Sequence, residues 1–234
     1  MFLKNQIKIS RLLLLTIVLS VGLATIIYTQ TAFSLNFGGI DLTKIPGLEK
    51  ALDKISTALP SKDVKIALTA KVSDVDDRAN ILDGKVKVND TITGQYIYNP
   101  SIKDTNTDET VGDYQHTKKP YGITLKAGDL VFKTDPNNVN FLVELVNRDM
   151  QDNYLLRSYN NLPLASGFPV SHIAWQLDDE TGKAISSDSL KKTPTPPVLN
   201  KWTSIFGLTI EGEDENRDNS FFIRAHVDSV KLIR

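Results

Sequence analysis

Asp104, Asn106 and Asp108 place a side-chain oxygen at every second position, and Glu109 and Asp113 follow closely. Hard oxygen donors in such a run suit calcium, which takes about six to eight oxygen ligands. The ligand set expected for calcium is Asp104, Asn106, Asp108 and Asp113. The frame is not that of an EF-hand, because Glu109 stands where that loop needs glycine and Gln115 where it needs a bidentate glutamate. The same residues also suit a solvated Asp/Asn turn. A second acidic run, Asp74, Asp76, Asp77 and Asp83, would add ligands if the two loops meet.

Other chemistries have little to stand on. His116, His172 and His226 are the only histidines and show no zinc-ligand spacing, and the chain has no cysteine to serve as nucleophile or thiolate ligand. Neither a Gly-x-Ser-x-Gly elbow nor a phosphate-binding glycine loop occurs, and Ser171 and His172 are neighbours only in sequence. Glu144 interrupts the apolar run Phe141–Val146. A turn near Met150 would set it opposite Arg157 as a cross-strand ion pair. Its sharper reading is an acid on the concave face of a jelly roll that acts on glycans, which requires a second carboxylate. Trp175 shares its strand face with Ile173 and Leu177, and Tyr96 and Tyr98 share theirs with Ile92, so all three are expected in the core.

The elements that would carry these residues follow from periodicity. Ile45, Leu48, Leu52, Ile55 and Leu59 recur at helical spacing between Asp41 and Pro60, which predicts one amphipathic helix docked on the main domain. From Val64 the period becomes two. Strands are expected at Val64–Val72, Lys85–Val88, Thr91–Tyr98, Tyr121–Leu125, Leu130–Lys133, Val139–Val146, Tyr154–Tyr159, His172–Leu177, Ser204–Ile210 and Ser220–Leu232. Asn99–Lys119 and Asp178–Lys201 read as long loops. Many short strands without alternating helices predict an all-β fold, an antiparallel β-sandwich or jelly roll with one short N-terminal helix.

The segments Val88–Tyr98 (VNDTITGQYIY) and Phe221–Val227 (FFIRAHV) resemble stretches of uncharacterised secreted bacterial β-sandwich proteins, many of which carry a PEP-CTERM sorting tail. The resemblance implies fold and export rather than an activity. No Pro-Glu-Pro motif follows the last strand, so free secretion or retention in the cell envelope is expected rather than surface sorting.

Export is also written at the start of the chain. Lys4, Lys8 and Arg11 precede an apolar stretch from Leu12 to Ile27, and Ala32 and Ser34 suit the small positions before a cleavage site. The organisation expected is therefore a signal peptide at 1–34, a helical segment at 35–62 and a β-sandwich domain at 63–234. Left uncleaved, residues 1–34 would be an N-terminal anchor, the sole membrane contact expected. Those 34 residues hold 3 of the 27 Lys and Arg and none of the 28 Asp and Glu, so the remainder has 24 against 28, a formal −4. That balance, with no run of basic residues in the sequence, argues against a nucleic-acid partner. The function expected is a non-catalytic extracellular or surface-associated module, glycan-binding or structural, whose partner is an extracellular glycan or a cell-surface component. The alternative is a jelly-roll enzyme acting on glycans. After expression of the full chain in a bacterial host, N-terminal sequencing of the exported protein should read from Leu35; a protein retaining Met1 would indicate the anchor instead.

Overall fold

Alternation is what makes this chain a sheet. Along Ile66, Leu68, Ala70 and Val72 every second side chain is buried, and the intervening Lys65, Ala67, Thr69 and Lys71 are not. A strand with one wet face must lay its dry face on something. The computed structural model describes residues 63–233, together with the backbone at 36–37 and 40–41. The latter form a small antiparallel pair, β1 (Asn36–Phe37) and β2 (Ile40–Asp41), in a compact unit separate from the rest. The helix expected between Asp41 and Pro60 and the export segment at 1–34 lie outside the described residues.

Ten antiparallel strands follow: β3 (Val64–Asp76), β4 (Thr91–Tyr98), β5 (Val111–His116), β6 (Gly122–Ala127), β7 (Leu130–Lys133), β8 (Phe141–Arg148), β9 (Gln151–Ser158), β10 (His172–Asp179), β11 (Ser204–Glu213) and β12 (Ser220–Ile233). They form one sheet in the order β5-β8-β9-β10-β11-β12-β3-β4-β6-β7. The all-β antiparallel fold is thus as the alternation predicts. The facing layers belong to one sheet that curls until its two flanks meet over a shared core. At the curl, register shifts between Arg224 and Ala225 and between Val227 and Ser229 interrupt the β12–β3 ladder, and such bulges bend and twist a strand.

Large rings fill the space between the flanks. Trp175 of β10 lies 6.0 Å from Tyr96 of β4 and 5.7 Å from Tyr154 of β9, ring centre to ring centre. Phe132 of β7 lies 6.2 Å from Phe221 of β12. Trp175, Tyr96 and Tyr98 are buried, as their parity predicts, and Tyr154 is buried with them. The Tyr96 and Tyr154 hydroxyls bond each other at 3.1 Å, and the Tyr98 hydroxyl meets Thr195 Oγ1 at 3.2 Å, tying the proline-containing loop to the core. Beyond the ladder, Thr134 after β7 bridges to Asn161 after β9, and its Oγ1 lies 2.8 Å from Ser158 Oγ.

Two expectations are corrected. Lys85–Val88 is not a strand: Val86 is buried as a plug, while Val88 is 52% exposed. Turn bonds from Lys85 N–H to Leu82 O and from Lys87 N–H to Asp90 Oδ2 hold this backbone instead. Conversely, the stretch Asn99–Lys119 is not all loop, because β5 lies within it. The inward residues of β5 are Gly112, Tyr114 and His116, none of them aliphatic, so the pattern carries no hydrophobic alternation.

The paired phenols give a stability test. Tyr154→Phe leaves the Tyr96 hydroxyl buried without its partner and should cost about 1–3 kcal/mol. Tyr96→Phe together with Tyr154→Phe should be more stable than the Tyr154→Phe single variant, as read from urea midpoints.

Candidate functional site

The Asp104–Asp113 segment folds onto itself. Asp104 Oδ1 accepts the N–H groups of Asn106 at 2.8 Å and Asp113 at 2.9 Å, and Asn106 Oδ1 accepts that of Asp108 at 2.9 Å. Asn106 Nδ2 donates to Asp113 Oδ2 at 2.9 Å. Asp108 turns away to Thr110 and to the Arg148 guanidinium, 3.1 Å distant. Hydrogen bonds from Thr110, helped by Arg148, hold the Asp108 carboxyl below its usual range. An oxygen at every second residue is equally the signature of successive Asx turns, and that is how these oxygens are employed here. Asp104, Asn106 and Asp113 come together, Asp108 does not join them, and among the described residues no three acidic or histidine side chains form a metal-binding group. The second acidic run is committed locally: Asp77 accepts the N–H groups of Ile81 and Leu82, and Asp76 pairs with Arg78.

Glu144 is corrected in two respects. The β8–β9 hairpin closes at Arg148↔Gln151, which sets Leu155 opposite Glu144 and Leu142 opposite Arg157. The two charges therefore share a face diagonally, with no salt bridge between them. The face is also the outer one, since Val143 and Leu145 on either side point into the core. Burial pushes the Glu144 carboxyl up, Arg157 draws it down, and Asp113, opposite on β5, raises it again.

The inner face does hold two facing carboxylates. Asp152 of β9 and Asp179 of β10 are directly paired and almost fully buried. Both are occupied by the loop that follows β10. Asp152 Oδ2 accepts Ile185 N–H at 3.0 Å, and Asp179 Oδ2 accepts Lys183 and Ala184 N–H at 2.7 and 2.9 Å. Burial drives Asp152 upward. Burial also works to raise Asp179, but its hydrogen-bond donors outweigh that and leave it lowered. These acids staple a loop and offer no open cleft to a sugar.

The open site lies on the outer face of β4, β6 and β7. Register aligns Gln95, Thr124 and Lys133 in one row across the three strands, with Ile97 opposite Gly122 in the next. Gly122 has φ +134°, and a Cβ there would meet Thr134 Oγ1 at 2.6 Å, so only glycine fits at this point in the wall of a hollow of about 290 Å³. Its apolar surfaces come from Ile97, Pro120, Tyr121 and Pro136, and its charges from Lys119 and Lys133, with no carboxylate in the lining. Tyr121 is fixed from behind: its ring packs edge-on against buried His116, 4.9 Å away, and its hydroxyl donates to Asp63 at 3.1 Å. His116 Nε2 in turn accepts Asn99 N–H at 3.0 Å. Sequence reasoning missed this site because its residues are scattered over three strands. The one local signal was Gly122 next to Pro120 and Tyr121.

Buried His116 gives a pH test of stability. Burial lowers its pKa in the folded protein, against the lesser effect of nearby backbone groups and Asp63, and burial lowers His172 likewise. The unfolded chain binds a proton near pH ~6.5. Acidification through that value therefore favours the unfolded state until the folded pKa is passed. The histidine contribution to the urea midpoint should be constant above about pH 7 and fall as the pH drops below about 6.5. Comparison of the chain with known protein families, curated proteins and solved structures finds no match, so the functional reading stands on this geometry.

Proposed function

We propose that the protein is an exported, non-catalytic module that binds glycan on the outer face of its curled sheet. The observation that carries this reading is the contrast between the two faces. Between the flanks, Trp175, Tyr96, Tyr154 and Phe141 are fully buried, so the concave face that a jelly-roll glycosidase would use is packed solid. Outside, the hollow beside Gly122 presents Gln95, Thr124 and Lys133, whose side chains make no hydrogen bond or ion pair to another described residue. A sugar ring needs this combination of apolar contact and uncommitted polar groups. Hydrolysis needs paired acids flanking one bond; Asp152 and Asp179 are buried under a loop, and Glu144 faces Asp113 across the outer side of β8 and β5, where Asn106 already holds the Asp113 carboxylate.

The test is electrophoresis of the full-length protein through gels cast with soluble polysaccharides, beside a reducing-end assay on the same polymers. Retardation without release of reducing ends is expected. Unretarded migration in every gel, or accumulation of reducing ends, would overturn the reading.

A further inference from the structure

The sequence contains no basic run, yet the fold builds a basic face. Outward positions alternate along each strand: Lys65, Ala67, Thr69 and Lys71 on β3, Thr91, Thr93, Gln95 and Ile97 on β4, Gly122, Thr124 and Lys126 on β6, and Val131 and Lys133 on β7. Pairing sets Lys65 beside Ile97, Lys71 beside Thr91, and Lys126 between Thr93 and Val131. Lys231 of β12 extends the surface beyond Ala67, and Lys119 stands at the hollow. Between Lys65 and Lys71, Thr91 and Ile97, Gly122 and Lys126, and Val131 and Lys133 no carboxylate occupies an outward position; Asp228 of β12 and Asp74 and Asp76 of β3 are exposed on the bordering parts of those two strands, and none of the six lysines has an ion-pair partner among the described residues. Neighbouring strands lie about 4.8 Å apart, so the ammonium groups cluster over a few strand widths.

From this arrangement we infer that the face takes an acidic polysaccharide, with one sugar seated in the hollow and its neighbours running across the lysines. The inference rests on the glycan-binding reading and specifies its ligand class. Six unpaired ammonium groups on a chain whose exported part is formally −4 concentrate positive potential on one surface, which attracts polyanions. The hollow selects among polyanions. Its volume of about 290 Å³ is near that needed for a single sugar ring, and Gln95 and Thr124 supply amide and hydroxyl groups for sugar hydroxyls. Tyr121 is the sole aromatic residue in the lining and none occupies an outward position in the four stretches, so successive bases have no row of rings to stack on.

The experiment titrates the full-length protein with polygalacturonate, with neutral dextran and with phosphatidylglycerol vesicles. Polygalacturonate should bind and dextran should not. Raising the ionic strength from about 0.01 to 0.15 M, which shortens the Debye length from about 30 to 8 Å, should weaken binding about tenfold or more. A variant combining Lys65→Glu, Lys126→Glu and Lys133→Glu should lose binding, while Lys191→Ala keeps it. Should the triple variant fail to fold, the salt dependence of the wild-type protein still decides the matter. Equal binding of dextran, salt-insensitive binding or full retention by a folded triple variant would overturn the acidic specificity and leave the glycan reading in place. Binding to neither polysaccharide, with or without binding to vesicles, would overturn both.

Discussion

Everything in this domain hangs on the pairing of its first long strand with its last. β3 and β12, of 13 and 14 residues, run antiparallel from Asp76↔Phe222 to Lys65↔Ile233 and are the one seam in the sheet order that joins the two flanks. On one side of the seam lie β4, β6 and β7; on the other, β11, β10, β9, β8 and β5. The bulges in this seam bend the sheet enough for Tyr96 to reach Trp175 and Tyr154. Without that bend two apolar faces would each need another cover. With it, each covers the other.

Filling the interior with rings decides where function can lie. A core occupied by tryptophan, tyrosine and phenylalanine leaves no lumen, and the polar groups that do enter it are spent on structure. Asp152 and Asp179 anchor the loop at 181–185, and His116 supports Asn99 and the Tyr121 ring. The recognition proposed above is thereby assigned to the outer surface. Gly122 forms part of the wall of the hollow there, and only glycine fits because the Thr134 side chain already occupies the space a Cβ would need.

Much of the fold was legible in the sequence wherever burial followed aliphatic alternation. β4 and β7 begin and end where the pattern puts them, because each is an alternating run closed by polar turn residues. β5 was illegible because a glycine, a tyrosine and a histidine do its inward work. Val86 and Val88 misled in the other direction, since two valines in a turn have the same spacing as two valines in a strand. The partner of Glu144 depended on hairpin register, which a two-residue difference in the turn displaces. The basic face was the least legible of all. Its lysines are far apart in sequence, and only the strand order, which puts β6 between β4 and β7, brings them together.

The seam also governs how the chain can fold. Its partners are separated by most of the domain, so loop closure on this scale must precede the contacts that reward it, and folding of this kind is slow. Until β12 is available, β3 remains an open edge and the apolar side of its flank has nothing to face. The closed core therefore cannot form until the fourteen-residue β12 is in place beside β3.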